Sequence, residues 1–580
     1  MMSDLLMTIN PGLFIIAAGM LCALVPLHSV RKTVMILAPI VAAYALFKGY
    51  SAGIGLAGEM TIAGIDLTTY RLDRLSLIWG YVFCFAGLLN GIFAFHEKAH
   101  ISDASALIYT GAGLGAVMAG DLLTLFLFWE LTAVSSVFLV WAGGPRAYAA
   151  GLRYLGMHVL SGVLLLAGAI MYQNYSGTFF FDGNEIGLGV PGGWLMMIGI
   201  GIKAGFPLLH TWIQDAYPKA SVTGTVVLAT FSTKMAIYAL ARGFAGEEIL
   251  IYIGAVMTLF PVFFAVIEND LRKVLAYSLN NQLGFMVCGI GVGTAMAMNG
   301  VAGQVVLHVI FKALLFMSMG AVLHRVGTAK ASELGGLFRT MPWTTMACLI
   351  GAASIAAFPM FAAFVTKAMI IAAVFEEHHY IVYLCLLFAS AGVMEHSGIK
   401  VPYFAFFSHD SGKRPKEAPW NMLLAMGLAS LFCIVLAWPW GGYQMLYNLM
   451  PMPEIAGEYV PYTVNHVITQ LQLLFAAMFA FALLKRLGVY PPERRAQILD
   501  FDWLWRRPAV ATLKWIDVMG ARVEAYGGLT VKRGWSGIQR RLFAMFSPAG
   551  AMSQDAPSGI ASVLTAAMLG LAIALLYFVG

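Results

Sequence analysis

The sequence predicts an all-α polytopic membrane protein of about sixteen transmembrane helices, and three observations carry that prediction. Of its 580 residues, 60% are hydrophobic and only 11% charged, for a mean hydropathy of +0.80. A water-soluble fold of this length does not hide that much apolar surface. Apolar runs recur almost throughout, mostly about 15–25 residues long, and crossing a bilayer takes roughly 20. The connections between the runs are alternately rich and poor in Lys and Arg.

The runs begin with Pro11–Leu27, Val34–Phe47, Leu75–Phe95, Ala104–Ala119, Leu122–Trp141, Gly151–Tyr172, Gly192–Phe206 and Ser221–Leu240. They continue with Ile249–Ile267, Val274–Thr294, Val301–Leu323, Pro342–Val374, Tyr380–Met394, Met422–Trp438, Ile468–Leu484 and Ile560–Val579. Odd-numbered connections carry Arg31/Lys32, Lys98, Arg146, Lys219, Arg272/Lys273, Arg325/Lys330/Arg339, Lys413/Arg414/Lys416 and a long basic loop. Even-numbered ones are poor in cations, apart from Lys48, Arg71, Arg74 and Arg242. The odd connections are therefore expected to face the cytoplasm and both termini the other side. The N-terminus has no basic n-region or small-residue cleavage site, so the first span is expected to be retained.

Two segments lie outside this pattern. Tyr50–Asp73 is Gly-rich and partly alternating, which predicts a small extramembrane hairpin. Residues 488–559 are too polar to span, and the stretch 509–546 mixes Leu513, Ile516, Val523, Trp535 and Phe543 with basic residues. That composition predicts an interfacial amphipathic segment before the last helix. From Lys485 to Arg541 the chain carries a net +7 against +6 for the whole, so its basicity sits in one loop. A membrane-surface role explains this better than nucleic-acid binding. The six cysteines all lie in apolar runs with no ligand spacing, as small hydrophobes do.

Ionisable residues at mid-bilayer cost a few kcal/mol at least and read as functional by default. Glu130 lies near the middle of the fifth run, Lys203 in the seventh, and Lys234 in the eighth. His308 and Lys312 lie at the centre of the eleventh, and Lys367 late in the twelfth. A single one reads equally well as a structural ion pair or a snorkelling lysine. Five cations or potential cations against one central acid cannot all be paired, and that imbalance suits a proton relay. Desolvation lowers an amine's proton affinity, a nearby carboxylate raises it, and moving the partner releases the proton. Gln304, His308 and Lys312 recur every four residues and so share one helix face.

The seventh run contains "GIKAGFPLLHTW". Pro207 has no N–H to offer the carbonyl four residues back, which is that of Lys203. A helix break beside a charge is tolerated at depth only where it lines a protein-buried or watery cavity. "AGFP" at 204–207 returns as "AAFP" at 356–359, where Pro359 precedes Lys367. The two runs are five apart, so the chain crosses them in opposite directions, which suggests an inverted repeat. The chain has neither a phosphate loop nor a strand-linked GxGxxG, and no flavin motif. No cofactor, metal or redox site is expected, and energy would come from an ion gradient or a partner.

The stretches "FWELTAVSS", "KAGFPLLHTWIQDAYPKAS", "STKMAIYALAR", "ENDLRKVLAYSLNNQLGFM" and "HVIFKALLFMSMGAVLH" resemble the proton-translocating antiporter-like family. That family includes the large membrane subunits of respiratory complex I and the A and D subunits of Mrp sodium/proton antiporters. The resemblance covers roughly 73–407, and "YPKASVTGTVVL" and "HSGIKVPYFAFF" look most like the D-type member. "YPKAS" departs from the Pro-Thr-Pro-rich turn of the long complex I subunits.

By resemblance, Glu130 would pair with Lys203, Lys234 would connect two half-channels, His308 and Lys312 would carry protons onward, and Lys367 would be terminal. The core would hold two inverted five-helix repeats with broken helices. The domain plan is then residues 1–103 (three helices), 104–243 and 244–410 (the repeats), 411–487 (two helices), 488–559 (basic segment) and 560–580 (last helix).

The resemblance implies a transporter subunit, not an enzyme, in a multi-pass bacterial-type inner membrane. It would move H+ and Na+ or K+ together with other membrane subunits. The alternative is a proton-pumping subunit of a complex I-like quinone oxidoreductase or related complex. A stand-alone solute carrier and a structural scaffold are weaker readings, because the titratable groups form a spread-out line and not one pocket.

Overall fold

A computed structural model describes residues 8–62, 64–182, 186–494, 498, 500–526, 539–544, 565 and 567–570. The N-terminal elements are α1 (Gly12–Leu24), α2 (His28–Ser51), β1 (Leu56–Ile62), β2 (Ile65–Arg71) and α3 (Arg74–Phe93). Then come α4 (His100–Val117), α5 (Leu122–Trp141), α6 (Tyr148–Ser176), α7 (Gly193–Ala204), α8 (Thr211–Ala216), α9 (Val222–Leu228) and α10 (Ser232–Gly243). The next group is α11 (Ile249–Ile267), α12 (Leu271–Val292), α13 (Ala295–Val326), α14 (Pro342–Ile355), α15 (Phe364–Glu376) and α16 (Tyr380–Val393). Last are α17 (Trp420–Val435), α18 (Gly442–Tyr447), α19 (Pro453–Glu458), α20 (Val464–Arg486), α21 (Asp502–Arg506) and α22 (Pro508–Tyr526).

Among the described residues, nine helices are long and apolar enough to cross a membrane, and four shorter apolar helices accompany them. The expected run 560–579 lies almost wholly outside the described residues, as does most of 527–559. The expected hairpin forms: β1 and β2 pair antiparallel from Leu56↔Arg71 to Ile62↔Ile65. The amphipathic segment begins as α22, whose Leu513, Trp515 and Ile516 are all exposed.

The long helix α13 is the axis of the fold. It packs on α3, α9, α12, α14, α15 and α17. Its window of highest hydropathy is 94% buried, whereas that of α20 is 11% buried and lies on the periphery. Side-chain oxygens cap the helix starts: Asp73, Asp121, Asp270 and Thr294 accept N–H bonds at the heads of α3, α5, α12 and α13.

Most boundaries shift by a few residues, and three departures have a structural account, two of them electrostatic. The second apolar run starts at Val34, but α2 starts at His28 and takes Arg31 and Lys32 into the structure. Both are buried because Asp103 of α4 lies 3.2 Å from Arg31 Nε and 2.5 Å from Lys32 Nζ. The thirteenth run ends at Met394, but the helix continues through two π-helical stretches, Met394–Lys400 and Tyr403–Phe407. Lys400 enters because its amine donates to the carbonyls of Val266 (2.5 Å) and Glu268 (2.7 Å) at the C-terminal end of α11. The eighth run is continuous in hydropathy but is split into α9 and α10 at 229–231, without proline or glycine.

Asp73 also clamps α3 to α10, accepting from Arg242 Nη1 (2.6 Å) and Nη2 (2.8 Å). Burial opposes ionisation, but hydrogen bonds from Arg242 and the Ser76 N–H hold its carboxyl at about 2. A depressed acid stabilises above its ordinary range and loses that stabilisation as pH falls through the folded value. Hydrogen-exchange protection in α10, taken relative to the intrinsic exchange rate at each pH, should therefore be unchanged from pH 8 to 5 and fall only as pH drops from about 4 toward 2. Loosening already at pH 6 would contradict this account.

Candidate functional site

α7 and α14 end in the same way. Gly205 (φ 80°) and Ala357 (φ 58°) are left-handed. Each donates its N–H three residues back, to Ile202 and Ser354, and the following Phe206 and Phe358 donate five back, to Gly201 and Ala353. This is a Schellman closure at both breaks. Pro207 and Pro359 follow, and the next residues, Leu208 (φ 70°) and Met360 (φ 72°), are again left-handed. The two four-letter matches thus carry one backbone conformation. The proline alone predicts a break at 207, but the helix stops at the left-handed residue two positions earlier. Trp212 Nε1 also donates to the Ile202 carbonyl (2.8 Å), giving that helix-end acceptor a second donor beside the Gly205 N–H.

Lys203 is fully buried one residue before the end of α7. Its amine donates to Trp129 O (2.6 Å) and Thr132 Oγ1 (2.9 Å) on α5 and lies 4.4 Å from the centre of the Trp129 ring. Among the described residues no ion pair joins it to Glu130. The carboxylate stands within electrostatic reach of the amine, yet Glu130 Oε1 is buried with no hydrogen-bond partner. That oxygen occupies a notch on α6 left by Gly162, where an added Cβ would lie 1.6 Å from it. One helical turn before Gly162, His158 is fully buried between Tyr154 (4.0 Å) and Trp212 (4.5 Å), with neither ring nitrogen partnered.

Lys234 sits just after the α9/α10 break. Its amine donates to Ala229 O (2.6 Å), a carbonyl at the C-terminal end of α9, and to Thr233 Oγ1 (3.2 Å). The exposed carbonyl dipoles of that half-helix favour a cation there.

On α13, Gln304, His308 and Lys312 are all fully buried. Among the described residues neither nitrogen of His308 nor the amine of Lys312 has a hydrogen-bond partner. Gln304 is tied in at both ends of its amide: Thr366 Oγ1 donates to its Oε1 (2.6 Å) and its Nε2 donates to Gln282 Oε1 (3.1 Å). Gln282 continues to Asn281, which donates to Thr258 O (2.5 Å). Thr366 precedes Lys367, so the α13 row ends beside that lysine. Lys367 donates to Ser390 Oγ (2.7 Å) and lies 4.6 Å from the centre of the Phe285 ring, as Lys203 does over Trp129. A cleft of about 270 Å3, bordered by Tyr459, His466 and Gln470, reaches Lys367.

Further buried titratable groups escape a reading of the sequence: His158, His210, His396 and Lys400. His396 Nδ1 pairs with Ser397 Oγ (2.8 Å), which donates to Ser278 (2.7 Å), while its Nε2 has no partner. His396 and Lys400 stand four apart in "HSGIKVP", the spacing that singles out His308 and Lys312. The apolar run closes two residues too early for that signal to be used.

These features define a class: a multi-pass membrane protein with buried amines and imidazoles on and beside interrupted helices. The sequence profile described as NADH:quinone oxidoreductase/Mrp antiporter, TM, matches residues 119–392. The D subunit of the Na(+)/H(+) antiporter of Alkalihalophilus pseudofirmus is 30% identical over 342 residues, which is 55% of this chain and 68% of that protein. The L subunit of the F(420)H(2) dehydrogenase of Methanosarcina mazei is 28% identical over 333 residues, 50% of this chain and 49% of that one. The chain belongs to the NADH:quinone oxidoreductase/Mrp antiporter membrane family. Among solved structures, a chain of the Mrp complex from a Dietzia species superposes with a TM-score of 0.69 at 21% identity, covering 80% of this chain and 99% of that one. A chain of the archaeal membrane-bound sulfane sulfur reductase superposes with a TM-score of 0.71 at 20% identity, covering 92% and 98%. At these identities the superpositions speak for the fold.

Proposed function

We propose that the chain is the proton-translocating membrane subunit of a multisubunit monovalent cation (Na+ or K+)/H+ antiporter. It works with other membrane subunits in a bacterial-type inner membrane. The carrying observation is the state of its buried amines. Lys203, Lys234 and Lys367 donate only to neutral oxygens, and Lys312 has no hydrogen-bond partner. A buried ammonium without a carboxylate partner is costly, so each site stays poised between its charged and neutral forms. Protons pass between Glu130 and Lys203, on to Lys234, then along His308 and Lys312 to Lys367. The shared geometry of the breaks at Pro207 and Pro359, on runs expected to cross in opposite directions, is what favours two inverted five-helix repeats.

A second reading, a proton-pumping subunit of a complex I-like or related complex, draws support from the similarity to the F(420)H(2) dehydrogenase chain. The test uses inverted vesicles containing the protein with its neighbouring gene products. Sodium or potassium is added to an established proton gradient. Wild type should collapse the gradient, and Lys203→Ala and Lys367→Ala, at equal expression, should lose at least about 10-fold of that response. A wild type that ignores both cations would sink the antiport reading and favour the second.

A further inference from the structure

After α20 the chain returns to the core and closes on it at three buried contacts. Tyr490 OH donates to Glu395 (2.6 Å), Glu493 lies 3.1 Å from the Lys400 amine, and Asp500 accepts from Tyr277 OH (2.9 Å). The same Asp500 oxygen is 3.2 Å from His210 Nε2. His210 belongs to the break between α7 and α8, is fully buried, and packs on Phe260 and on Phe501 of the returning segment. Among the described residues its other nitrogen, Nδ1, has no partner.

Beside this contact lies a polar vestibule of about 400 Å3, with Gln214, Asp215, Glu268, Tyr277, Asp500 and Arg506 in its walls. Its walls come from the connections after the seventh, ninth, eleventh and fifteenth runs, all on the side expected to be cytoplasmic, and from Tyr277 at the start of the tenth run. Gln214 is 5% exposed, and among the described residues neither atom of its amide has a partner. A buried amide at a cavity wall with both ends unmet requires water to satisfy it. Charges already paired around the vestibule are Lys273 with Glu268 (2.8 Å) and Arg153, Lys219 and Arg506 with Asp215. Asp500 alone among these acids faces a histidine.

We infer that Asp500 and His210 together form the proton port between the vestibule and Lys203. This inference rests on the proton-translocating reading above. A proton from vestibule water goes to the Asp500 carboxylate and then to His210 Nε2. The resulting imidazolium releases its Nδ1 proton into the break that also carries Lys203, and the ring returns by exchanging tautomers; flux the other way reverses each transfer. Burial pushes the Asp500 carboxyl up, but His210, the Phe501 N–H and Tyr277 together hold it below its ordinary range. At rest it is therefore the anion to which His210 Nε2–H donates, and inward transfer starts from the other tautomer, in which Nδ1 carries the hydrogen and Nε2 is free to accept. The port exists only while the segment after α20 is docked, because that segment supplies the acid.

The test compares Asp500→Asn, Asp500→Glu and His210→Gln in the vesicle assay and by infrared titration of the purified complex. Asn keeps the acceptor for Tyr277 but cannot exchange a proton. Asp500→Asn and His210→Gln should each lower transport at least about 10-fold, Asp500→Glu should retain most of it, and the Tm should not change. A carboxyl band that titrates in wild type should be missing in Asp500→Asn and displaced in pH in His210→Gln. Wild-type transport in Asp500→Asn, or an infrared titration identical to wild type, overturns the port. If wild type itself moves no cation, the antiport reading falls and the infrared titration still decides the port.

Discussion

Gly162→Ala should lower cation-driven collapse of the proton gradient by about 10- to 100-fold, approaching the loss from Glu130→Ala, although it adds one methyl group and removes no charge. An ideal Cβ at Gly162 lies 1.6 Å from Glu130 Oε1 and 2.6 Å from its carboxyl carbon. Both atoms cannot stay, and the flexible carboxylate gives way before the helix backbone does. Displacement moves the acid out of reach of the Lys203 amine, the charge that acts on it. Gly156, on the same helix, has open space at its Cβ position, so Gly156→Ala should transport as wild type. Shortening the acid should relieve the clash, so Gly162→Ala combined with Glu130→Asp should exceed Gly162→Ala alone. The vesicle assay checks all three, and a fully active Gly162→Ala would show that Glu130 does not need its notch.

Gly205→Ala should destabilise the protein by about 2–4 kcal/mol. Two costs combine there. The φ of 80° is unfavourable to any Cβ. The added carbon would also lie 2.4 Å from Asn280 Oδ1 and 3.0 Å from Ile213 Cδ1. The mirror change at the other break, Ala357→Gly, should be neutral to about 1 kcal/mol stabilising, because it relieves a left-handed alanine. Thermal unfolding of the purified variants in detergent separates these outcomes. Equal Tm values for Gly205→Ala and wild type would mean that the break rearranges freely.

Much of the site is legible in the sequence, for one reason. A charged residue inside an apolar run is conspicuous whatever it touches, so Glu130, Lys203, Lys234, His308, Lys312 and Lys367 stand out. The two breaks are legible because each left-handed residue is followed within two positions by a proline. The break between α9 and α10 is not, since "VLATFS" holds neither proline nor glycine and its backbone is held by the Lys234 amine and by packing. Arg31, Lys32 and Lys400 read as loop charges because a lone cation at the edge of a run looks exposed. Asp103 for the first two, and the carbonyls at the end of α11 with Glu493 for Lys400, show that they are enclosed.

By itself, the sequence determined the membrane class, the rough positions of the helices, the hairpin and the residues that carry charge into the apolar layer. These follow from composition, run length and local backbone preference, which act over a few residues. The tertiary structure alone decided which groups meet: Glu130 on Gly162, Lys203 on the Trp129 carbonyl, Thr366 on Gln304 and Asp500 on His210. The residues of the last pair are 290 positions apart. Such contacts depend on how helices far apart in the chain pack together. No local pattern encodes that, because the same apolar surface can be buried in many arrangements and only the packed one brings these polar atoms within a hydrogen bond of each other.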